Sequence, residues 1–210
     1  MKYCQRWVMP ISAVASSFNE KQICSACEYH DVYEGLTDQE WSDRKKIFEK
    51  IINENKSNSN YDCIIPVSGG KDSYFQTHKI VQEFHLKPLL VTYDGNNYLE
   101  EGIHNRDKMR ELFDADHLVF GPSVQSLIKL NKHCFKIMGD MNWHNHCGIN
   151  TYPIIIANSL KIPLLIWGET PGDVFGTFGP NDFVEMSKWV AGKSAWQKAS
   201  KSQQEAFTKE

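Results

Sequence analysis

The sequence predicts an α/β fold, a parallel sheet with flanking helices, preceded by a small Cys-containing element. Three observations carry this. Short apolar runs at 61–67, 87–94, 117–120 and 162–167 read as strands, the first of them short and buried. Stretches of helical pattern alternate with them, and repeated strand–helix units produce parallel sheets covered by helices. The first run ends in Ser68-Gly69-Gly70-Lys71-Asp72-Ser73, a tight glycine turn that opens a helix.

A helix N-terminus offers unpaired N–H groups and the positive end of the helix dipole, so such a turn makes an anion site. Gly69 and Gly70 let the backbone approach a phosphate without a Cβ in the way. Lys71 adds a point charge, and Ser68 and Ser73 add hydroxyl donors. The spacing is not that of a Walker A loop, because Pro66 stands where its first glycine belongs and Asp72 follows the lysine.

The bulk properties set the frame. A chain of 210 residues can bury one main core with a small appendage. A formal net charge of −3 without a basic stripe argues against nucleic acid as a partner. No apolar run approaches the roughly 20 residues of a membrane helix, and Met1–Trp7 lacks a hydrophobic signal region, so a cytoplasmic location is expected. In that compartment the six cysteines, Cys4, Cys24, Cys27, Cys63, Cys134 and Cys147, point to metal or reactive thiols rather than disulfides.

Residues 1–34 show few helix signals and form the expected Cys element. Cys24-Ser-Ala-Cys27, with Cys4 upstream, has the spacing of a zinc-ribbon-like knuckle, and His30 is the candidate fourth ligand because Trp7 stands where another cysteine would complete the set. The competing expectation is a metal-free knuckle packed on Trp7. Residues 35–60 form a helix and linker; Thr37-Asp-Gln-Glu40 reads as a capping box, and the helix should end in the polar run 53–60.

The main domain spans 61–190. A helix is expected from Ser73 to Phe84. The strand at 87–94 ends in Asp94-Gly95, at the sheet edge where ligands of open α/β folds bind, which makes Asp94 a candidate nucleotide contact. A helix over 98–113 carries Asn105, and another covers 123–138. The stretch 139–149, with Trp143, His144, His146 and Cys147, resists a periodic reading and is expected to be a site loop, for substrate or for a second metal. A helix resumes at Thr151. The last strand leads into Gly168-Glu169 and on to Asp173, where Glu169 or Asp173 is a candidate ligand for Mg²⁺ on ATP phosphates. Residues 191–210 read as a polar tail.

The order Ser-Gly-Gly-Lys-Asp-Ser resembles the PP-loop of ATP pyrophosphatases, which cleave ATP between the α- and β-phosphates. Four further stretches narrow the resemblance: Lys2-Tyr3-Cys4 with Met9-Pro10, Ile23–Cys27, Trp143-His144 with Gly148-Ile149, and Ile162–Glu169. Together they resemble the N-acetyl sugar amidotransferases of bacterial O-antigen and of pseudaminic- and legionaminic-type acid biosynthesis. The resemblance implies an adenine nucleotide α-hydrolase-like fold. It implies ATP bound by Val67, Ser68, Gly69, Gly70, Lys71, Asp72, Ser73, Asp94, Gly168 and Glu169, with Lys71, Asp72 and Ser73 catalytic. It also implies a sugar-nucleotide substrate, and ammonia from a separate glutaminase. Members of that family continue past residue 210, so a truncated form is part of the expectation. The alternatives are another PP-loop enzyme, of tRNA-thiolating or deazapurine-forming type, and a non-catalytic nucleotide-binding remnant.

Overall fold

Four strands line up in the order β3-β2-β1-β4, every neighbouring pair parallel. They are β1 (Cys63–Pro66), β2 (Pro88–Tyr93), β3 (His117–Phe120) and β4 (Leu164–Leu165). The computed structural model describes residues 2–12, 17–56, 60–95 and 98–168. The central strands are buried on both faces, which is why they read as continuous apolar runs rather than alternating ones. Ile64 lies opposite Leu89 on one side and Leu165 on the other. With Val91 and Ile162 these strands make a core that Tyr152, Ile156 and Ala157 cover from the last helix.

The helices are α1 (Ser25–Glu34), α2 (Asp38–Asn55), α3 (Lys71–His78), α4 (Glu100–Phe113), α5 (Val124–Met138) and α6 (Trp143–Leu160). A π-helical turn, Lys79–Glu83, continues α3. The described residues separate into two compact units, one up to Lys50 and the other 51–168, with the division inside α2. The expected junctions at 34 and 60 do not coincide with it. Tyr29 stacks on Tyr33 at 6.0 Å between ring centres, and Tyr33 meets Trp41 edge-on at 5.2 Å, so the start of α2 joins the Cys element.

Four expectations need correction. Residues 25–34, read as lacking helix signals, form α1; its apolar pattern is weak, and the buried Ala26 beside Cys4 and Cys24 anchors it instead. The helix after the glycine turn begins at Lys71, two residues before the expected Ser73, with Gly70 at its N-cap. The stretch expected to be a loop at 139–149 contains the first two turns of α6. It starts early because Asp140 Oδ1 accepts the Asn142 N–H at 2.8 Å and turns the chain. Pro153 then sits buried within that helix rather than near its start. Lastly, the final strand pairs only over two residues, followed by one further bond from Ile166 N–H to the Ile64 carbonyl at 2.9 Å.

The capping box holds as expected. Thr37 N–H donates to Glu40 Oε2 at 2.8 Å and Glu40 N–H donates back to Thr37 Oγ1 at 3.3 Å.

Candidate functional site

The glycine turn lies at the carboxyl end of β1, the central position of the sheet, so its mouth opens at the edge where β2 and β4 also end. Its shape is held from inside. The buried Ser73 hydroxyl accepts the Ser68 N–H at 2.9 Å, and the two serine oxygens are 3.3 Å apart. Gly69 has φ of 82°, the left-handed region that favours glycine. A Cβ there would come within 2.7 Å of Arg106 N and 2.8 Å of its Cα, so the loop lies directly on the backbone of α4.

The N–H groups of Gly69, Lys71, Asp72 and Ser73 donate to no group among the described residues, while Tyr74 N–H closes the first helical bond to the Gly70 carbonyl at 3.1 Å. That leaves a cradle of open donors at a helix start, which suits an anion. Lys71 and Asp72 point to solvent: their side chains are 89% and 70% exposed and pair with each other at 2.8 Å. Ser73, by contrast, is committed to the loop's own geometry.

The other expected nucleotide contacts gather around this loop. Val67 is buried beneath it, and Asp94 ends β2. Gly168 is pressed against α3, where a Cβ would meet Gln76 Oε1 at 2.7 Å, and Gln76 Nε2 in turn donates to the Pro66 carbonyl at 3.1 Å. Glu169 and Asp173 lie outside the described residues. Asn105 contributes only its backbone, whose carbonyl accepts the Tyr74 hydroxyl at 2.6 Å; its side chain is exposed.

Its neighbour Arg106, absent from the sequence-based site, is the residue that the fold brings in. Its side chain is 9% exposed, Nη1 donates to Asp94 Oδ2 at 2.8 Å, and the guanidinium lies 5.4 Å from the Tyr98 ring centre. Nothing local in sequence marks it: only the packing of α4 under Gly69 makes position 106 part of the site.

Below the loop runs a second set of contacts. The Thr92 hydroxyl donates to the Val67 carbonyl at 2.5 Å and is 2.8 Å from His117 Nε2. Since the Thr92 hydrogen is committed to Val67, His117 Nε2 carries the proton toward Thr92 Oγ1. Burial, reinforced by the nearby Arg106 charge, lowers the His117 pKa to about 4, so the ring is neutral near pH 7.

The start of α6 holds Trp143, His144 and Asn145 buried, with His146 exposed and Cys147 half-buried. His144 Nε2 reaches Asn131 Oδ1 of α5 at 2.6 Å, and burial lowers its pKa. Burial raises the Cys147 thiol to about 12. Asn145 is the residue of this group that reaches the sheet's carboxyl edge: its Oδ1 lies 2.4 Å from where a Gly95 Cβ would be. Gly148 permits that approach, since any Cβ would fall 2.3 Å from the Tyr93 ring. His144, His146 and Cys147 do not form a metal-ligating group; among the described residues the atoms that do so belong to Cys4, Cys24 and Cys27.

Those three sulfurs lie within 4.8 Å of one another and could hold a metal ion. A tight hairpin, with Cys4 N–H bonded to the Met9 carbonyl at 2.8 Å, brings the first thiol back over the N-terminus of α1. Cys4 Sγ accepts the N–H groups of Cys24 at 3.2 Å and Arg6 at 3.5 Å. Burial raises the Cys4 pKa, but these donors together outweigh it and hold the thiol at about 7. Burial pushes Cys27 up to about 12, followed by its contacts with Cys24 and Cys4. His30, the expected fourth ligand, is not in the group; it lies exposed on α1, edge-on to Tyr29. Trp7 does not fill the space either, being 45% exposed.

No family profile matches the chain. It is similar to an uncharacterized protein of Methanocaldococcus jannaschii, 26% identical over 117 residues, which cover 54% of this chain and 40% of that protein. The chain therefore aligns with less than half of that relative's length. Among the described residues no helix is long and apolar enough to cross a membrane.

Proposed function

We propose that this chain is an ATP-dependent, AMP- and pyrophosphate-forming amidotransferase acting on the acetamido group of an N-acetylated sugar, carried as a sugar nucleotide. The observation that supports it is the Ser68–Ser73 turn at the centre of the sheet edge, with its run of unpaired amide donors at the start of α3. The specific sugar class rests on the sequence resemblance.

An amide carbon is a poor electrophile, so its oxygen must first become a leaving group. In the proposed reaction the acetamido oxygen attacks the α-phosphorus of ATP, the bond from that phosphorus to the β-bridging oxygen breaks, and pyrophosphate departs. The open amides of Gly69, Lys71, Asp72 and Ser73 would stabilise the charge that accumulates there. Ammonia from a separate glutaminase then adds to the activated carbon. The C–O bond breaks, AMP leaves, and the product is an amidine. Mg²⁺ on the phosphates and Zn²⁺ on Cys4, Cys24 and Cys27 belong to this proposal; the three sulfurs and their N–H donors fit a thiolate metal site. A cytoplasmic location goes with a nucleotide-dependent reaction.

The test is incubation with ATP, Mg²⁺, ammonium and a panel of N-acetylated sugar nucleotides, followed by chromatography. AMP and pyrophosphate formed together with an amidino sugar support the proposal. ADP and phosphate as products reject it. Nucleotide binding without turnover under any condition leaves the non-catalytic nucleotide-binding alternative in its place.

A further inference from the structure

We propose that Arg106 is the buried cation that receives the nucleotide's phosphates at this loop, with Asp94 holding its guanidinium in position. The inference rests on the reading of Ser68–Ser73 as a polyphosphate site and names the residue that gives the site its charge.

The loop's own cation is poorly placed for that task. Lys71 is 89% exposed and already paired with Asp72, so water and salt screen it. Arg106 is the opposite case. Its side chain is 9% exposed, and among the described residues it is the buried cation. Its backbone is the floor on which Gly69 rests, and its Cβ lies 3.0 Å from the position of a Gly69 Cβ. The side chain therefore leaves the helix directly beneath the turn.

The guanidinium is also pre-aimed. Asp94 takes Nη1 at 2.8 Å from the end of β2, and Tyr98 lies against the group at 5.4 Å. Nε approaches Asp107 only at 3.5 Å, and Nη2 has no partner among the described residues. Even with Asp94 and Asp107 beside it, the buried arginine keeps Nη2 donors without a partner among the described residues. A phosphate supplies paired oxygens that match the guanidinium fork, and charge-assisted bonds of this kind are the strong ones. The cost of ordering that side chain is met in the folded protein before any ligand arrives, so binding an anion requires no reorganisation.

The test titrates the full chain with inorganic pyrophosphate, ATP and adenosine by calorimetry. Arg106→Gln should weaken pyrophosphate and ATP by about ten- to a hundredfold, the range for a lost bond to a charged group, and leave adenosine unchanged. Lys71→Ala should weaken them less. Asp94→Asn, which keeps an acceptor oxygen for Nη1 and removes the carboxylate charge, should weaken pyrophosphate less than Arg106→Gln does. Equal losses in Arg106→Gln and Asp94→Asn would make the pair a structural brace and overturn the proposal. Should Arg106→Gln fail to fold, Arg106→Lys decides. It loses the fork and should bind pyrophosphate more weakly than Asp94→Asn, and the reverse order overturns the proposal. Wild-type protein that binds neither pyrophosphate nor ATP would sink the loop assignment and this inference together. Wild-type binding that Arg106→Gln leaves unchanged would sink this inference alone.

Discussion

The glycine turn and the thiol cluster are both short turns leading into a helix, yet they are stabilised in different ways. The turn stands on a four-stranded sheet whose central residues are fully buried, and its internal bonds are complete without a ligand. Among the described residues the cluster stands on a small core of Cys4, Cys24 and Ala26, edged by Met9, Phe18, Ile23 and Cys27. So small a core rarely supports itself, and domains of that size usually depend on metals or disulfides. Two of its buried residues, Cys4 and Cys24, are also candidate metal ligands. One site is shaped by packing on a sheet; the other, in the proposed zinc-bound form, would draw its shape from the ion it holds.

The sharpest way to break this contrast is to remove the metal. Zinc ligation contributes on the order of 10 kcal/mol to folding in small metal-dependent domains. About one zinc per chain is expected by elemental analysis, lost in Cys24→Ser and retained in His30→Ala. The same Cys24→Ser change should abolish hydrogen-exchange protection over residues 25–34. Protection that survives without metal would show that packing alone shapes this element too.

The next effect is at the turn. Gly69→Ala forces a non-glycine residue to φ of 82° and puts a methyl 2.7 Å from Arg106 N. Strain of that kind costs about 1–3 kcal/mol before the clash is counted. Denaturant unfolding should show a loss above that range, together with loss of ATP binding. Normal affinity in this variant would mean that the turn is not shaped by α4.

Thr92→Val tests the contacts below the turn. It removes the hydroxyl between the Val67 carbonyl and His117 Nε2, leaving both buried groups without it, at about 1–3 kcal/mol. His117 adds a pH signature. Its folded pKa of about 4 lies below its ordinary 6.5, so the unfolded chain takes up the proton first. The stability it contributes is full above about pH 6.5 and is lost progressively as pH falls toward 4. Melting curves of wild type and His117→Asn should diverge across that window and run parallel above it. The smallest expected effect is Thr37→Ala, which breaks the capping box of α2 and should cost about 0.5–2 kcal/mol in thermal unfolding.

The sheet, the order of its strands and the glycine turn were legible in sequence, because each is written in contiguous residues. A buried strand needs an unbroken apolar run, and a glycine turn needs its glycines side by side. Cys63–Pro66 and Pro88–Tyr93 coincide with expected strands for that reason, whereas His117–Phe120 forms its strand with its side chains largely exposed. The pairing of Cys4 with Cys24 and Cys27 was legible as spacing, though the exclusion of His30 was not, since only the course of α1 shows where that imidazole lies. The early start of α6 was obscured by a dense mixture of histidine, asparagine and cysteine, whose burial depends on what α5 and β2 place opposite them. Arg106 was invisible for the same physical reason. Its role comes from a helix backbone lying against a glycine thirty-seven positions earlier and from a carboxylate twelve positions earlier, and such contacts between distant residues exist only in the tertiary structure.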